Sequence, residues 1–303
     1  MRVFYSDHYT IDLPAGHRFP MRKYRILRDE LLRSGILEER HLHESPLATI
    51  DDVLLAHTPR YVHGVVTGTL ALLEQRKIGF PWSESLVTRS LATVGGCLAS
   101  TYAALEDGIS GNLAGGTHHA MRDAGEGFCV FNDIAVCTIK LLNEKRVQRV
   151  AIVDLDVHQG NGNSDILGNR SDVYILSIHG AKNYPFNRIP STVDVDLPDG
   201  CGDEEYLQAL DAHLSSVLDF RPDLVFYQAG VDPLHSDTLG RLSLTHDGLQ
   251  ERDRRVLGMF RSNNIPVMIA LGGGYAHPIE ETVQAQCNLY RVARQFAQKE
   301  STS

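Results

Sequence analysis

Short apolar runs recur along the chain, and nearly every one ends in a cluster of glycines or ionisable residues. Val3 to Asp7, Asn112 to Ala114, Val173 to Ile178, Leu224 to Ala229 and Pro266 to Leu271 each predict a strand. The sixth run, Val150-Ala151-Ile152-Val153, has the pattern of a strand buried on both faces. It leads directly into Asp154-Leu155-Asp156-Val157-His158-Gln159-Gly160-Asn161-Gly162. Between the strands the apolar period lengthens to that of helices. Helices are predicted over Met21 to Arg33 (closed by Gly35), Ile50 to Ala56, Pro59 to Thr69, Glu84 to Leu105 and Phe131 to Asn143. Others are predicted near Asn163 to Leu167, and over Asp203 to Leu218, Thr245 to Phe260 and Ile279 to Ala297. The fourth shows the pattern well, with Ser83 as N-cap and Val87, Leu91, Val94, Leu98 and Tyr102 at helical spacing. Gly95-Gly96 inside it predicts close packing on a neighbour. Strands alternating with helices favour an α/β fold with a largely parallel, doubly wound sheet. No charged linker, composition shift or internal repeat divides residues 1–303, so one domain is expected.

The polar elements that follow the strands matter together, because ligands of open α/β sheets bind beyond the carboxyl ends of the strands. Asp156 and His158 are two apart, so extended geometry would point both to one side, with Asp154 beside them. Carboxylate oxygen and imidazole nitrogen suit a divalent transition metal. Asp232, next to Gly230-Val231 at another strand end, is the best third ligand. Three protein ligands leave a position open for water and substrate, as catalytic sites require. His118 and His119 offer acid–base groups, and Tyr275, after Gly272-Gly273-Gly274, offers a hydroxyl donor for an oxyanion. Singly, each has a plainer reading. Paired histidines occur in surface loops, an aspartate can cap a helix, and a lone tyrosine is most often a core aromatic. Their joint placement at strand ends favours chemistry.

Composition narrows the field. With 43% hydrophobic residues the chain can bury a large core, and no apolar run is long enough to span a bilayer. Val3-Phe4-Tyr5 follows the first residues without a basic and then apolar region, so no signal peptide is expected. Five scattered cysteines without a CxxC pair predict reduced thiols and a cytoplasmic setting. The net charge of −9 disfavours nucleic acid as a direct partner, and is compatible with a cationic one such as a lysine-bearing peptide.

Gly115-Gly116-Thr117-His118-His119-Ala120, Gly127-Phe128-Cys129, Asn132-Asp133, the Asp154 to Gly162 stretch, Gly230-Val231-Asp232 and Gly272-Gly273-Gly274-Tyr275 together resemble the zinc-dependent histone deacetylase family. They stand in the family's order and span most of the chain. Asp-Val-His-Gln-Gly-Asn-Gly and the early His17-Arg18-Phe19-Pro20 look most like the class IV and bacterial deacetylase-like branch. The resemblance implies the arginase/deacetylase fold: three layers, α/β/α, around a central, mainly parallel eight-stranded sheet. It implies Asp156, His158 and Asp232 as ligands of Zn2+, with Fe2+ as the alternative. His118 would pair with Asp154, and His119 would act as general base and then acid. Tyr275 would hold the oxyanion. Phe128, beside Gly127, would form one wall of an acyl-lysine tunnel, and Tyr184 the other. Arg18 resembles an arginine lining an internal channel. Carbonyls around Asp154, Asp156 and His158, with Ser177, resemble a structural K+ or Na+ site.

Two positions depart from parts of the family. Asn161 stands where class I members carry an aspartate beside the second histidine, so His119 should be less basic than in them. Leu239 lies seven residues after Asp232, where polyamine-deacetylating relatives have a glutamate, which suggests an apolar rim. Glu84 is the candidate for an acid that grips the substrate backbone. The expected activity is therefore hydrolysis of N-acyl-lysine, acetyl-lysine foremost, in a protein or peptide. The alternatives are a long-chain defatty-acylase, a small-molecule deacetylase of the acetylpolyamine type, and a catalytically silent acyl-lysine-binding scaffold. No membrane partner is expected, and the sequence leaves the oligomeric state open.

Overall fold

The computed structural model describes residues 1–298. Eight strands form a single sheet: β1 (Val3–Tyr5), β2 (Leu42–Glu44), β3 (Ile109–Asn112), β4 (Val150–Asp154), β5 (Val173–Gly180), β6 (Val193–Leu197), β7 (Leu224–Gln228) and β8 (Val267–Ala270). Their order across the sheet is β2-β1-β3-β8-β7-β4-β5-β6, and every pairing is parallel. Helices intervene between successive strands except β5 and β6, which a loop over residues 181–192 joins. The three-layer expectation with eight strands therefore holds.

The apolar runs become the central strands because both faces of the sheet are covered. All residues of β4, β7 and β8 are buried. Ser83 caps helix Glu84–Asp107 by accepting the Leu86 N–H at 3.1 Å. Within that helix a Cβ on Gly95 would overlap the Pro46 carbonyl, so the glycine permits the close approach that the sequence suggested. Among the described residues no helix is long and apolar enough to cross a membrane.

Strand register places the site. Asn112, Ala270, Gln228, Asp154 and Ser177 pair in one row across β3-β8-β7-β4-β5. β3, β8, β7 and β4 end in this row, so the four segments that leave them start at one level on one edge, while β5 runs on to Gly180.

Two strands and one α-helix were not anticipated. Strand β2 is a three-residue edge strand containing His43 and Glu44, too short to show a period. Helix Leu72–Ile78 turns Leu72 and Leu73 outward, 65% and 71% exposed, so it has no apolar face to betray it. Strand β6 alternates Val193, Val195 and Leu197 with Asp194 and Asp196, the period-two pattern of a half-buried strand. The strand expected over Asn112 to Ala114 instead lies over Ile109–Asn112.

A buried histidine supports the scaffold. His57 donates from Nδ1 to the Met121 carbonyl at 2.9 Å, and its Nε2 accepts the Asn132 N–H at 2.8 Å. Burial pushes its pKa from 6.5 down to about 4. The folded state therefore resists protonation. Its stability is fully present above pH 6.5 and is lost as pH falls through the folded value of about 4. Urea unfolding across that window should show a decline of about 3 kcal/mol from this group. His57→Gln should flatten the curve, and a wild-type stability that does not change with pH would contradict the assignment.

Candidate active site

The chain leaves the sheet at Asp154, so side-chain alternation along a strand does not bring Asp156 and His158 together. Local turns do. Asp154 Oδ1 accepts the Asp156 N–H at 3.2 Å, and Asp156 Oδ1 accepts the His158 N–H at 3.0 Å. These side chain-to-backbone bonds two residues apart curl the segment. Asp232 arrives from the end of β7 and accepts the Val157 N–H on Oδ1 at 2.9 Å. One ligand atom from each of Asp156, His158 and Asp232 can be chosen so that all lie within 4.8 Å of one another. All three side chains are buried.

The trio has the electrostatics of a cation site. His158 Nδ1 lies 3.0 Å from Asp156 Oδ1 and 3.2 Å from Asp232 Oδ2. Asp232 Oδ2 is buried without a hydrogen bond. Burial and the neighbouring Asp156 carboxylate push the Asp232 carboxyl up to about 7. Burial works against charge on His158, but Asp156 and Asp232 prevail and raise it to about 10. Two buried carboxylates and an imidazole, one oxygen of them unsatisfied, fit a divalent cation.

Two guests from other elements hold these loops. Arg252, fully buried on helix His246–Ser262, donates from Nη1 to the Gly230 carbonyl at 2.6 Å and the Leu155 carbonyl at 3.3 Å. It ties the Asp156 and Asp232 segments together. Gly273 N–H donates to Asp156 Oδ2 at 2.7 Å. A buried arginine was not foreseen, since helical spacing alone does not reveal which polar residue faces inward.

His118 and His119 follow β3 in a turn that Asp133 fixes by accepting the N–H groups of Gly116 and Thr117 at 2.8 and 2.9 Å. His118 Nδ1 meets Asp154 Oδ2 at 2.8 Å. Burial disfavours its charge, yet Asp154 and Asp156 outweigh that and raise it to about 9. His119 Nδ1 donates to Asn161 Oδ1 at 2.8 Å. Burial, together with the neighbouring imidazoles His118 and His158, holds His119 well below 6.5. The adjacent rings are thus driven apart, one toward the imidazolium and one toward the neutral base.

The amide of Asn161 has only one orientation that satisfies its neighbours. Its Nδ2 donates to Glu126 Oε1 at 2.6 Å, and a carboxylate can only accept. Oδ1 must then face His119, which places the His119 proton on Nδ1 and leaves Nε2 with its lone pair. Glu126 also meets the Tyr184 hydroxyl. Glu126 was missed because the Gly125-Glu126-Gly127 turn gave no hint that its carboxylate reaches Asn161. Glu126→Ala should lower kcat about tenfold while bound metal is retained. Kinetics alongside metal analysis will check this, and an unaltered kcat would show that the carboxylate does not act through Asn161.

A cavity of about 470 Å³ opens over these groups. Phe128, Tyr184, Leu239, Gly127, Tyr275, His118 and His119 border it, together with the Asp156-His158-Asp232 trio. Among the described residues, the rings of Phe128 and Tyr184 each pair with other aromatics and not with one another. Phe128 packs on Phe80 and Phe19, while the Tyr184 ring lies edge-on to His119 at 5.1 Å. Gly127, with φ of +58°, passes so close to His119 that a Cβ would come within 2.7 Å of the ring. Tyr275 is held by its N–H donating to Asp237 Oδ2 at 2.6 Å. Lys23, buried beneath, donates to the Gly274 carbonyl at 3.0 Å and lies 4.8 Å from the Tyr275 ring centroid. Burial raises the Tyr275 hydroxyl well above 10, so it remains a proton donor.

Two expectations fail at this site. Arg18 borders the cavity but is exposed, and the buried arginine there is Arg89. Glu84 is exposed on the first turn of its helix and does not border the cavity. Ser177, expected near a monovalent cation, has its hydroxyl 2.9 Å from His179 Nδ1.

With this geometry in view, the histone deacetylase domain profile matches residues 17–290. The chain belongs to the histone deacetylase family. It is therefore a deacetylase-family hydrolase. It is 34% identical to histone deacetylase 2 of Arabidopsis thaliana, over 90% of this chain and 74% of that one. It is 42% identical to an uncharacterized protein of Picosynechococcus sp., over 96% and 98% of the two chains. A probable deacetylase of Archaeoglobus fulgidus is 30% identical over 90% and 80%. Among solved structures, an HDAC homologue from Aquifex aeolicus superposes with a TM-score of 0.81 at 22% identity, covering 98% of this chain and 88% of that one. That likeness is one of fold. Within the family, the parallel sheet and the row of strand ends account for how distant sequence segments meet at one cavity.

Proposed function

We propose that this deacetylase-family protein is a metal-dependent amidohydrolase that removes acyl groups, acetyl foremost, from lysine side chains of proteins or peptides. The observation that carries this reading is the buried Asp156-His158-Asp232 trio, bordering one cavity with His118, His119 and Tyr275. Asp156, His158 and Asp232 would hold Zn2+, or Fe2+, since both accept nitrogen and carboxylate ligands. When bound, the ion would supply Lewis acidity, lowering the pKa of a water and polarising the amide carbonyl.

The remaining work falls to the chain. His119 Nε2 takes the proton of the attacking water, then delivers a proton to the departing lysine amine. Asn161 keeps His119 in the tautomer that can do so. His118, charged beside Asp154, stabilises negative charge gained by the substrate. The Tyr275 hydroxyl donates to the carbonyl oxygen as charge develops on it. Phe128 and Tyr184, with Gly127 between the former and His119, enclose the lysine methylenes, and Leu239 gives the rim an apolar element. K+ or Na+ at the carbonyls around Asp154, Asp156 and His158 would stiffen the loop. Residues 1–303 act as one catalytic domain.

The lining of the buried part of the cavity bears on acyl length. Arg89, Ser90 and Thr93 border it, but so do Phe19, Tyr24, Leu86 and Phe131, and the Ser90 and Thr93 hydroxyls are spent on backbone carbonyls. Acetyl is the reading put to the test, with the longer chains as its rivals. Leu239 in place of an acid disfavours polyamines. The test is parallel hydrolysis of acetyl-, butyryl-, decanoyl- and myristoyl-lysine peptides and of acetylspermidine. Chelator-sensitive turnover led by the acetyl peptide is expected. A preference for the long chains, or for acetylspermidine, would overturn the substrate assignment.

A further inference from the structure

The mouth of the cavity runs against the composition of the chain. The protein carries 38 acidic and 29 basic residues, yet four exposed cations border the cavity: Arg18, Lys77, Lys182 and Arg241. Among the described residues, the carboxylates bordering it are Asp156 and Asp232, both buried in the ligand trio. Nearby acids do not cancel this charge. Asp199 is shared between Lys182, at 3.7 Å, and Arg241, at 3.2 Å, so one carboxylate faces two cations. Among the described residues, Arg18 and Lys77 have no ion-pair partner. Glu126 is half-buried and engaged by Asn161 and Tyr184.

We infer that the rim selects acyl-lysine flanked by aspartate or glutamate in a polypeptide. This rests on the acyl-lysine reading given above and adds which lysines are taken. The cations come from separate segments: the loop before helix Lys23–Arg33, helix Leu72–Ile78, the loop after β5 and the segment after β7. Charges so dispersed suit several anions along a chain better than the single carboxylate of a small molecule. Phe186, 85% exposed and bordering the same cavity, adds apolar surface for the peptide between them. The excess of negative charge elsewhere makes the rim a local attractor for anions and repels acidic segments that approach any other face. Basic sequences, with lysines and arginines crowding the acylated residue, meet like charge at the mouth.

The experiment uses the full chain loaded with Zn2+ and three matched acetyl-lysine peptides, flanked by acidic, by serine or by basic residues. At about 0.02 M salt the acidic peptide should exceed the basic one by about tenfold in kcat/KM, and the gap should narrow at about 0.5 M salt, where charges are screened within a few ångströms. The double variant Lys77→Glu/Lys182→Glu, with its melting temperature as a folding check, should reverse the order. Equal rates on the three peptides at low salt, or a lead for the basic peptide, would overturn the inference while leaving deacylation intact. Faster hydrolysis of free Nε-acetyl-lysine than of the acidic peptide would overturn the polypeptide occupant. No turnover of any peptide by metal-loaded protein would instead refute the acyl-lysine reading, and this inference with it.

Discussion

The Asp232→Ala protein is expected to lose bound metal and hydrolytic activity together. Asp232 is wholly buried, and its Oδ2 lies unsatisfied 3.2 Å from His158 Nδ1. Removing the carboxylate leaves only Asp156 and His158, too few ligands to hold a divalent ion firmly at such a site. Alanine also deletes the acceptor of the Val157 N–H, so a second variant separates fold from chemistry. Asp232→Asn keeps an oxygen for Val157 while removing the negative charge. Both variants should fold, as judged by circular dichroism, and both should show turnover below detection on an acetyl-lysine peptide. Elemental analysis supplies the decisive number. Full metal occupancy in Asp232→Ala would remove Asp232 from the ligand set.

The second large effect is at Tyr275. Tyr275→Phe keeps the ring over Lys23 and leaves the N–H bond to Asp237 in place. It deletes only the hydroxyl, which burial keeps protonated. If that hydroxyl donates to the developing oxyanion, kcat should fall by about two to three orders of magnitude with KM little changed. A fall in kcat/KM carried by KM alone would make Tyr275 a binding contact. Near-normal turnover would remove it from the chemistry.

Much of the fold was legible because the central strands are buried on both faces and so read as unbroken apolar runs. Val150 to Val153 is the strongest case, an interior strand flanked by β7 and β5 and buried throughout. Edges were harder to read. The strand over Leu42–Glu44 is too short for a period, and the outward leucines of Leu72–Ile78 erase the amphipathic pattern. At the site, residue types at strand ends were enough to gather His118, His119, Asp156, His158, Asp232 and Tyr275 around one cavity. The route was partly different from that expected, since side chain-to-backbone turns, not strand alternation, aim Asp156 and His158. The supporting residues were not legible. Lys23, Glu126 and Arg252 come from elements remote in sequence, and only the packing reveals that Lys23 lies under Tyr275, Glu126 against Asn161, and Arg252 between two ligand loops. The same holds for the charge of the rim, because net charge is a sum over the whole surface and hides where cations gather.

The central claim is that one divalent ion at Asp156, His158 and Asp232 enables hydrolysis of an acyl-lysine amide. The most direct measurement is a titration of chelator-stripped protein with Zn2+, and in parallel with Fe2+ under anaerobic conditions, following hydrolysis of an acetyl-lysine peptide. Activity is predicted to be absent at the start and to rise linearly to a plateau at one equivalent of metal. Undiminished activity in the stripped protein, or no activity with one equivalent bound, would contradict it.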